Sequence, residues 1–327
     1  MSAATLPSGL TRAGLRPVGL LGLGDHRPAD RVDNHEIARR TDSSDEWIRE
    51  RSGIVTRGRA AADESTVDMA VSAGGKALAA SGVPAESISL VLLATCSMPG
   101  PLPGGAPEVA HRLGARSAGA SDIGAGCAGW TYALSMAADA VRCGSAENVL
   151  VVGSEKLLPM VDHNDRGTAF LFGDGAAAAV VGPTEVDGIS RVVWAHDGEQ
   201  HDTLTIHGTP QRLAMNGRAI YRWATTSLPD LARRVCEQAG IAPADLAGFV
   251  PHQANLRIIE SVVKSLELPD SVVVARDVCE SGNTSAASVP LALTRLHEQG
   301  RLQTGDAVLL LGFGAGLTAA GQVVRCP

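Results

Sequence analysis

Residues 122–153 read DIGAGCAGWTYALSMAADAVRCGSAENVLVVG, and residues 277–312 read DVCESGNTSAASVPLALTRLHEQGRLQTGDAVLLLG. Laid over each other with small insertions, both run from a Gly-containing turn through a helix pattern that closes at a glycine, Gly144 or Gly300, and both end in an apolar strand pattern. In this register Cys127 coincides with Asn283, each preceded by a glycine. Pro290 interrupts the second helix pattern, so that helix has to bend or begin later than the first. The segments upstream match as well: SGVPAESISLVLLAT (81–95) lies on AGIAPADLAGFVPHQ (239–253), with Gly82 falling on Gly240. Apolar strand patterns at 90–95, 149–153, 247–250 and 308–312 alternate with helix patterns, which predicts an α/β fold. A diverged repeat predicts two pseudo-equivalent halves about a local twofold, the starts of two helices close together and a site between them. The plainer origin of the match is generic strand-turn-helix punctuation.

A chain of 327 residues with 45% apolar content is long enough for one large domain or two of ordinary size. Its formal charge of -7, from 28 Lys plus Arg against 35 Asp plus Glu, gives no general attraction to nucleic acid or an anionic membrane, so any basic patch has to be local. No apolar run approaches the roughly 18 residues of a membrane helix. The stretch VGLLGLG (18–24), after Arg12 and Arg16, is too short and Gly-rich for a signal-peptide core, and the expectation is a cytoplasmic protein. Six cysteines stand without a CxxC pair or a neighbouring His cluster, so they read as thiols rather than a disulfide framework or a zinc site.

Cys127 sits among Ala125, Gly126, Ala128 and Gly129 where a helix pattern begins. Unpaired backbone N–H groups and the helix dipole favour thiolate there, and small neighbours admit a long substrate. Taken alone, a buried inert thiol is the simpler reading. PHQAN (251–255) and GNTSAAS (282–288) change the balance, because they set His252 after an apolar strand and Asn283 before a helix. Singly these would be a structural histidine and an N-cap; at repeat-related positions they become partners for Cys127. A rival reading takes Gly124, Gly126 and Gly129 as a dinucleotide-binding GxGxxG, with Glu155 near the place of a ribose-binding acid, in an NAD-dependent oxidoreductase. It leaves PHQAN and SGNTSAAS without a role.

The combination GAGCAGW, VPHQANLRI, SGNTSAAS, FLFGDGA and LGFGAGLT resembles the β-ketoacyl-ACP synthase III family of the thiolase superfamily, over about residues 16–325. The resemblance implies a thiolase-like five-layered αβαβα fold from two duplicated halves, here 16–185 and 186–327, behind an extension at 1–15 expected to be flexible. It also implies a homodimer. Cys127 would take an acyl group from acyl-CoA; His252 and Asn283 would bind the malonyl-ACP thioester and stabilise the enolate left by loss of carbon dioxide; the backbone N–H groups of Cys127 and Ala315 would hold the acyl-step oxyanion. Decarboxylative condensation would then yield a β-ketoacyl-ACP, with coenzyme A thioester as substrate and no cofactor. Trp47 and Arg166 resemble the pair that sandwiches the CoA adenine, Arg51 a phosphate contact, Asn255 a pantetheine contact, and Arg257 a residue that meets the acidic carrier protein. Leu102 stands where relatives carry a gating aromatic and Ala319 where a Trp is common, which implies an altered acyl pocket and leaves the starter open. A family variant that moves the acyl group to an alcohol or amine without condensation is the second reading, and a scaffold that has lost activity the third.

Overall fold

A computed structural model describes residues 14–327; residues 1–13, most of the expected N-terminal extension, lie outside the described residues. The first half contains strands β1 (Val18–His26), β2 (Asp30–Asp33), β3 (Thr56–Arg59), β4 (Ile88–Ala94), β5 (Gly119–Ile123), β6 (Asn148–Glu155) and β7 (Gly175–Pro183). Its helices are α1 (Asn34–Ala38), α2 (Asp45–Ser52), α3 (Thr66–Ser81), α4 (Ala106–Leu113) and α5 (Gly129–Arg142). The second half contains β8 (Val193–His196), β9 (Leu204–His207), β10 (Arg212–Met215), β11 (Gly248–Pro251), β12 (Val273–Val274), β13 (Ala307–Gly314) and β14 (Thr318–Arg325). Its helices are α6 (Gly217–Ala239), α7 (Leu256–Leu266), α8 (Val278–Ser281) and α9 (Ser288–Glu298).

Two five-stranded sheets, β5-β4-β6-β7-β1 and β12-β11-β13-β14-β8, have the same order. In each, the first two pairings are parallel and the last two antiparallel. The duplication is therefore structural. Gly82 and Gly240 close α3 and α6 in the left-handed conformation, at φ 67° and 69°, as the aligned glycines require.

Between the sheets lie α5 and α9. Trp130, Leu134 and Val141 of α5 pack with Val289, Leu293 and Leu296 of α9, Val149 and Val151 of β6, and Val308 and Leu310 of β13. The alternate residues of the same strands face outward: Leu150 and Val152 toward α3 and α4, Leu309 and Leu311 toward α6 and α7. Both faces of each sheet are covered, which gives five layers, αβαβα. Truncating a fully buried central residue such as Leu134 to Ala costs about 2–5 kcal/mol.

The two turns that open the central helices are twins. Gly126–Ala128 forms a short 3₁₀ turn before α5, and Ser285–Ala287 forms one before α9. Each opens on a residue with positive φ, Gly126 at 50° and Ser285 at 48°. The structural counterpart of Cys127 is thus Ala286, and the register that set Cys127 on Asn283 is shifted by three residues. The cause is the shorter second helix: α9 begins at Ser288, which places Pro290 in its first turn, where a missing N–H costs nothing.

Candidate active site

Cys127 lies at the start of α5, where the second half presses on it. A Cβ on Gly314 would come within 2.7 Å of the Cys127 nitrogen, so β13 can approach only because that position is glycine. A Cβ on Gly126 would fall 3.3 Å from the Ala315 nitrogen, which puts the Cys127 turn beside the Gly314–Ala315 backbone. This contact fills the space that a GxGxxG turn leaves open for a pyrophosphate. Glu155, the ribose-binding acid of the oxidoreductase reading, is fully buried and bonded to Cys96 and Thr95. Gly126 and Gly314 serve the packing of the halves instead.

His252 follows β11 and is held by its backbone N–H on Leu311 O at 2.7 Å and by its ring edge on Phe313, centroids 4.9 Å apart. Its Nδ1 lies 2.6 Å from Ser288 Oγ, and that oxygen also accepts the Gln253 N–H at 3.2 Å. We assign the serine proton to Nδ1, which leaves the imidazole N–H on Nε2. Burial pushes the His252 pKa down to about 3 and the Cys127 thiol up to about 12, against an opposing hydrogen bond from Ser285. Both groups are neutral at neutral pH.

Asn283 is fixed through its backbone between Leu171 O, which accepts its N–H at 2.8 Å, and the Gly173 N–H, which it accepts at 3.1 Å. Its Oδ1 accepts the Ser285 N–H at 2.9 Å, so the amide NH₂ is the end left for a ligand. The N-cap alternative for Asn283 does not hold, since no side-chain cap precedes α9.

Cys127, His252 and Asn283 line one cavity of about 850 Å³, and Trp47, Arg51, Asn255 and Arg257 line it as well. Arg166 lies with its guanidinium 4.4 Å from the Trp47 ring centroid and Arg51 with its own at 5.4 Å. A base between Trp47 and Arg166 requires the arginine to swing away. Asn255 caps α7, its Oδ1 accepting the Arg257 N–H at 2.9 Å and its Nδ2 donating to Arg51 O at 3.1 Å, so much of its hydrogen-bonding capacity is spent inside the protein. Leu102 does not line this cavity; it is 86% exposed on the loop between β4 and α4. Ala319 is buried on β14 opposite Phe313.

Sequence reasoning missed Arg218, Tyr221 and Arg222, which line the same cavity from the start of α6. The signal was present at one of them: a cation in the first turn of a helix opposes the dipole, so Arg218 does not serve helix stability.

Among the described residues no group of three or more His, Cys, Asp or Glu could hold a metal ion, and no helix is long and apolar enough to cross a membrane. The six cysteines are unpaired.

A buried cysteine at a helix start, two polar side chains from the other half on the same cavity, and five layers built by duplication define a thiolase-fold acyltransferase of the condensing class. A family described as 3-oxoacyl-[acyl-carrier-protein (ACP)] synthase III matches residues 121–198, and its C-terminal family matches residues 236–326. The chain is 50% identical over 311 residues to beta-ketoacyl-[acyl-carrier-protein] synthase III 2 of Streptomyces avermitilis, covering 94% of this chain and 98% of that one. It is 47% identical over 328 residues to the mycobacterial beta-ketoacyl-[acyl-carrier-protein] synthase III of Mycobacterium tuberculosis, covering 97% and 98%. Among solved structures, the priming β-ketosynthase of the R1128 polyketide biosynthetic pathway superposes with a TM-score of 0.95 at 43% identity, covering 98% of this chain and 99% of that one. The chain belongs to the 3-oxoacyl-[acyl-carrier-protein] synthase III family.

Proposed function

We propose that this enzyme primes a fatty-acid or polyketide chain: acyl-CoA acylates Cys127, and decarboxylative condensation with malonyl-ACP releases a β-ketoacyl-ACP. The observation that carries the reading is the convergence of Cys127, His252 and Asn283 on one cavity rimmed by Trp47 and several arginines. The thiol attacks the CoA thioester, with the Cys127 and Ala315 N–H groups on the oxyanion. The malonyl thioester carbonyl then lies against His252 Nε2–H and the Asn283 amide, and these neutral donors stabilise the enolate formed as carbon dioxide leaves. Neutral donors suit this step, because a charged imidazolium in so buried a place would be costly to keep.

Trp47, Arg166 and Arg51 hold the nucleotide end of coenzyme A and Asn255 meets the pantetheine, while Arg257, joined by Arg218 and Arg222, meets the acidic carrier protein. The protein works in the cytoplasm as a homodimer, needs no cofactor, and divides between residues 185 and 186; β7 ends at Pro183 and β8 begins at Val193, which supports the division. Leu102, exposed on its own protomer, gates the partner's acyl pocket.

Intact-protein mass spectrometry after incubation with a panel of acyl-CoAs, followed by malonyl-ACP, tests the reading. An acyl mass on Cys127 that disappears with release of carbon dioxide is the expected result. An adduct that never provokes decarboxylation would assign the protein instead to acyl transfer onto an alcohol or amine.

A further inference from the structure

One buried cation has no part in the chemistry above. Arg57, on β3, is fully buried and has no ion-pair partner among the described residues. Its guanidinium donates only to neutral oxygens, Val32 O at 3.1 Å, Asn34 Oδ1 at 2.8 Å and Phe170 O at 2.8 Å, and its Nε finds no acceptor. The acidic residues of the same region are engaged elsewhere: Asp33 caps α1, Glu36 pairs with Arg59 and Asp45 with Arg49. Burial pulls the Arg57 pKa down to about 10, which leaves the group charged at neutral pH. A buried charge is a weak source of stability, since an apolar side chain of similar volume serves a core as well or better. The position calls for another reason.

Two of the three acceptors lead to one side chain, Trp47, from different directions. Asn34 Nδ2 donates to Asp45 Oδ1 and to Ile54 O, both at 2.8 Å, so a single amide ties the first residue of α2 to a residue just past its end. Helix α2 carries Trp47 and Arg51. The amide can hold both ends only with its oxygen turned to Arg57, and a guanidinium, which donates and never accepts, admits no other orientation. Phe170, whose carbonyl takes the other bond from the same Nη2, sets its ring edge-on against Trp47, with centroids 5.4 Å apart and planes at 84°. One nitrogen thus donates to the amide that frames α2 and to the backbone of the residue that buttresses the indole. A Cβ on Gly173 or Gly282 would come within 3.0 or 2.9 Å of the Arg57 Cβ, so both positions stay free of side chains where the arginine stem passes.

We propose that Arg57 is a positioning residue for coenzyme A: through Asn34 and Phe170 it fixes the orientation of the Trp47 ring on which the nucleotide end of the thioester lies. Arg166 has to swing away to admit a base, so the fixed wall of the clamp is Trp47, and that wall is set from its buried side. Arginine suits the task because two acceptors are taken by the two protons of one planar nitrogen; the ammonium of a lysine, a point donor on a flexible stem, holds neither in a fixed plane. Malonyl-ACP carries no nucleotide, so the effect belongs to the first substrate alone. The proposal rests on Trp47 being the surface that takes the nucleotide.

The test measures kcat and KM for an acyl-CoA, for the acyl-pantetheine of the same acyl group, which lacks the nucleotide, and for malonyl-ACP. The proteins compared are wild type, Trp47→Ala, Arg57→Met, Arg57→Lys and Asn34→Ala. Arg57→Met leaves an apolar side chain of similar length with no charge to bury; it is expected to raise the KM for acyl-CoA roughly tenfold with kcat kept, and to leave acyl-pantetheine and malonyl-ACP unaffected. Arg57→Lys should fall between Arg57→Met and wild type. Asn34→Ala breaks the same chain of bonds without removing the charge and should reproduce the effect, so the proposal is decided even if Arg57→Met does not fold. Adding Arg57→Met to Trp47→Ala should raise the acyl-CoA KM no further than Trp47→Ala does alone. If Trp47→Ala loses the preference for acyl-CoA over acyl-pantetheine while Arg57→Met and Asn34→Ala keep it, or if those two variants lose activity with both thioesters equally, this proposal alone is overturned. If Trp47→Ala itself keeps the wild-type preference, the nucleotide assignment of Trp47 falls and the proposal with it.

Discussion

Cys127 and His252 are neutral in the resting site because each is shut away from water, and this fixes how the free enzyme should respond to pH. With the thiol pushed up to about 12, alkylation of Cys127 by iodoacetamide should be slow at neutral pH and climb about tenfold per pH unit with no plateau below pH 10. A plateau near pH 7 would show a preformed thiolate. For His252 the folded pKa of about 3 lies below the ordinary 6.5, so the unfolded chain binds the extra proton. Its stabilising contribution is present above pH 6.5 and is lost as the pH falls from there through about 3. Thermal unfolding midpoints should drop over that window, less steeply in His252→Gln. The proposed roles separate kinetically. Cys127→Ala should form no acyl adduct, whereas Asn283→Ala should keep the adduct and condense about a hundredfold more slowly, the usual effect of removing one oxyanion donor.

The start of α6 and the start of α7 line the cavity side by side, Arg257 lying with its guanidinium 5.5 Å from the Tyr221 ring centroid. Arg222→Glu and Arg257→Glu should each raise the KM for malonyl-ACP far more than that for acyl-CoA; equal effects on both would indicate general damage. Elements of this kind also show what the sequence could reveal. The four strands read from apolar runs, 90–95, 149–153, 247–250 and 308–312, match observed strands to within a residue, since each is a central strand with at least one parallel neighbour and is covered on both faces. Strand β7 escaped notice because Ala176–Ala179 has little β preference of its own; small residues are needed there by the close packing of helices on both faces, a tertiary demand. The three-residue slip of Cys127 onto Asn283 has a similar origin. It followed the glycines, whereas the chain reaches the left-handed conformation at a glycine in one turn and at Ser285 in the other. Trp47, Arg51, Asn255 and Arg257 were legible only through family motifs, because an exposed arginine or a capping asparagine carries no mark of its ligand.

At the level of the molecule, the proposed homodimer would bury an apolar side chain that now stands 86% exposed at Leu102. Light scattering at working concentration should give twice the chain mass, and Leu102→Phe should narrow the range of accepted acyl-CoAs. A monomer would end the gate proposal. The matching sheets have one more consequence. Position for position, Cys127 answers to Ala286, His252 to Ala94 and Glu155 to Gly314, so a backbone with room for two reaction centres carries the side chains of one. Duplication let each half specialise, and neither retains a whole site. The sulfur proposed to attack belongs to the first half and the groups proposed to tame the enolate belong to the second. Turnover therefore gauges how the halves are seated on each other: a slip between two intact, well-folded halves would silence the protein while leaving its secondary structure untouched.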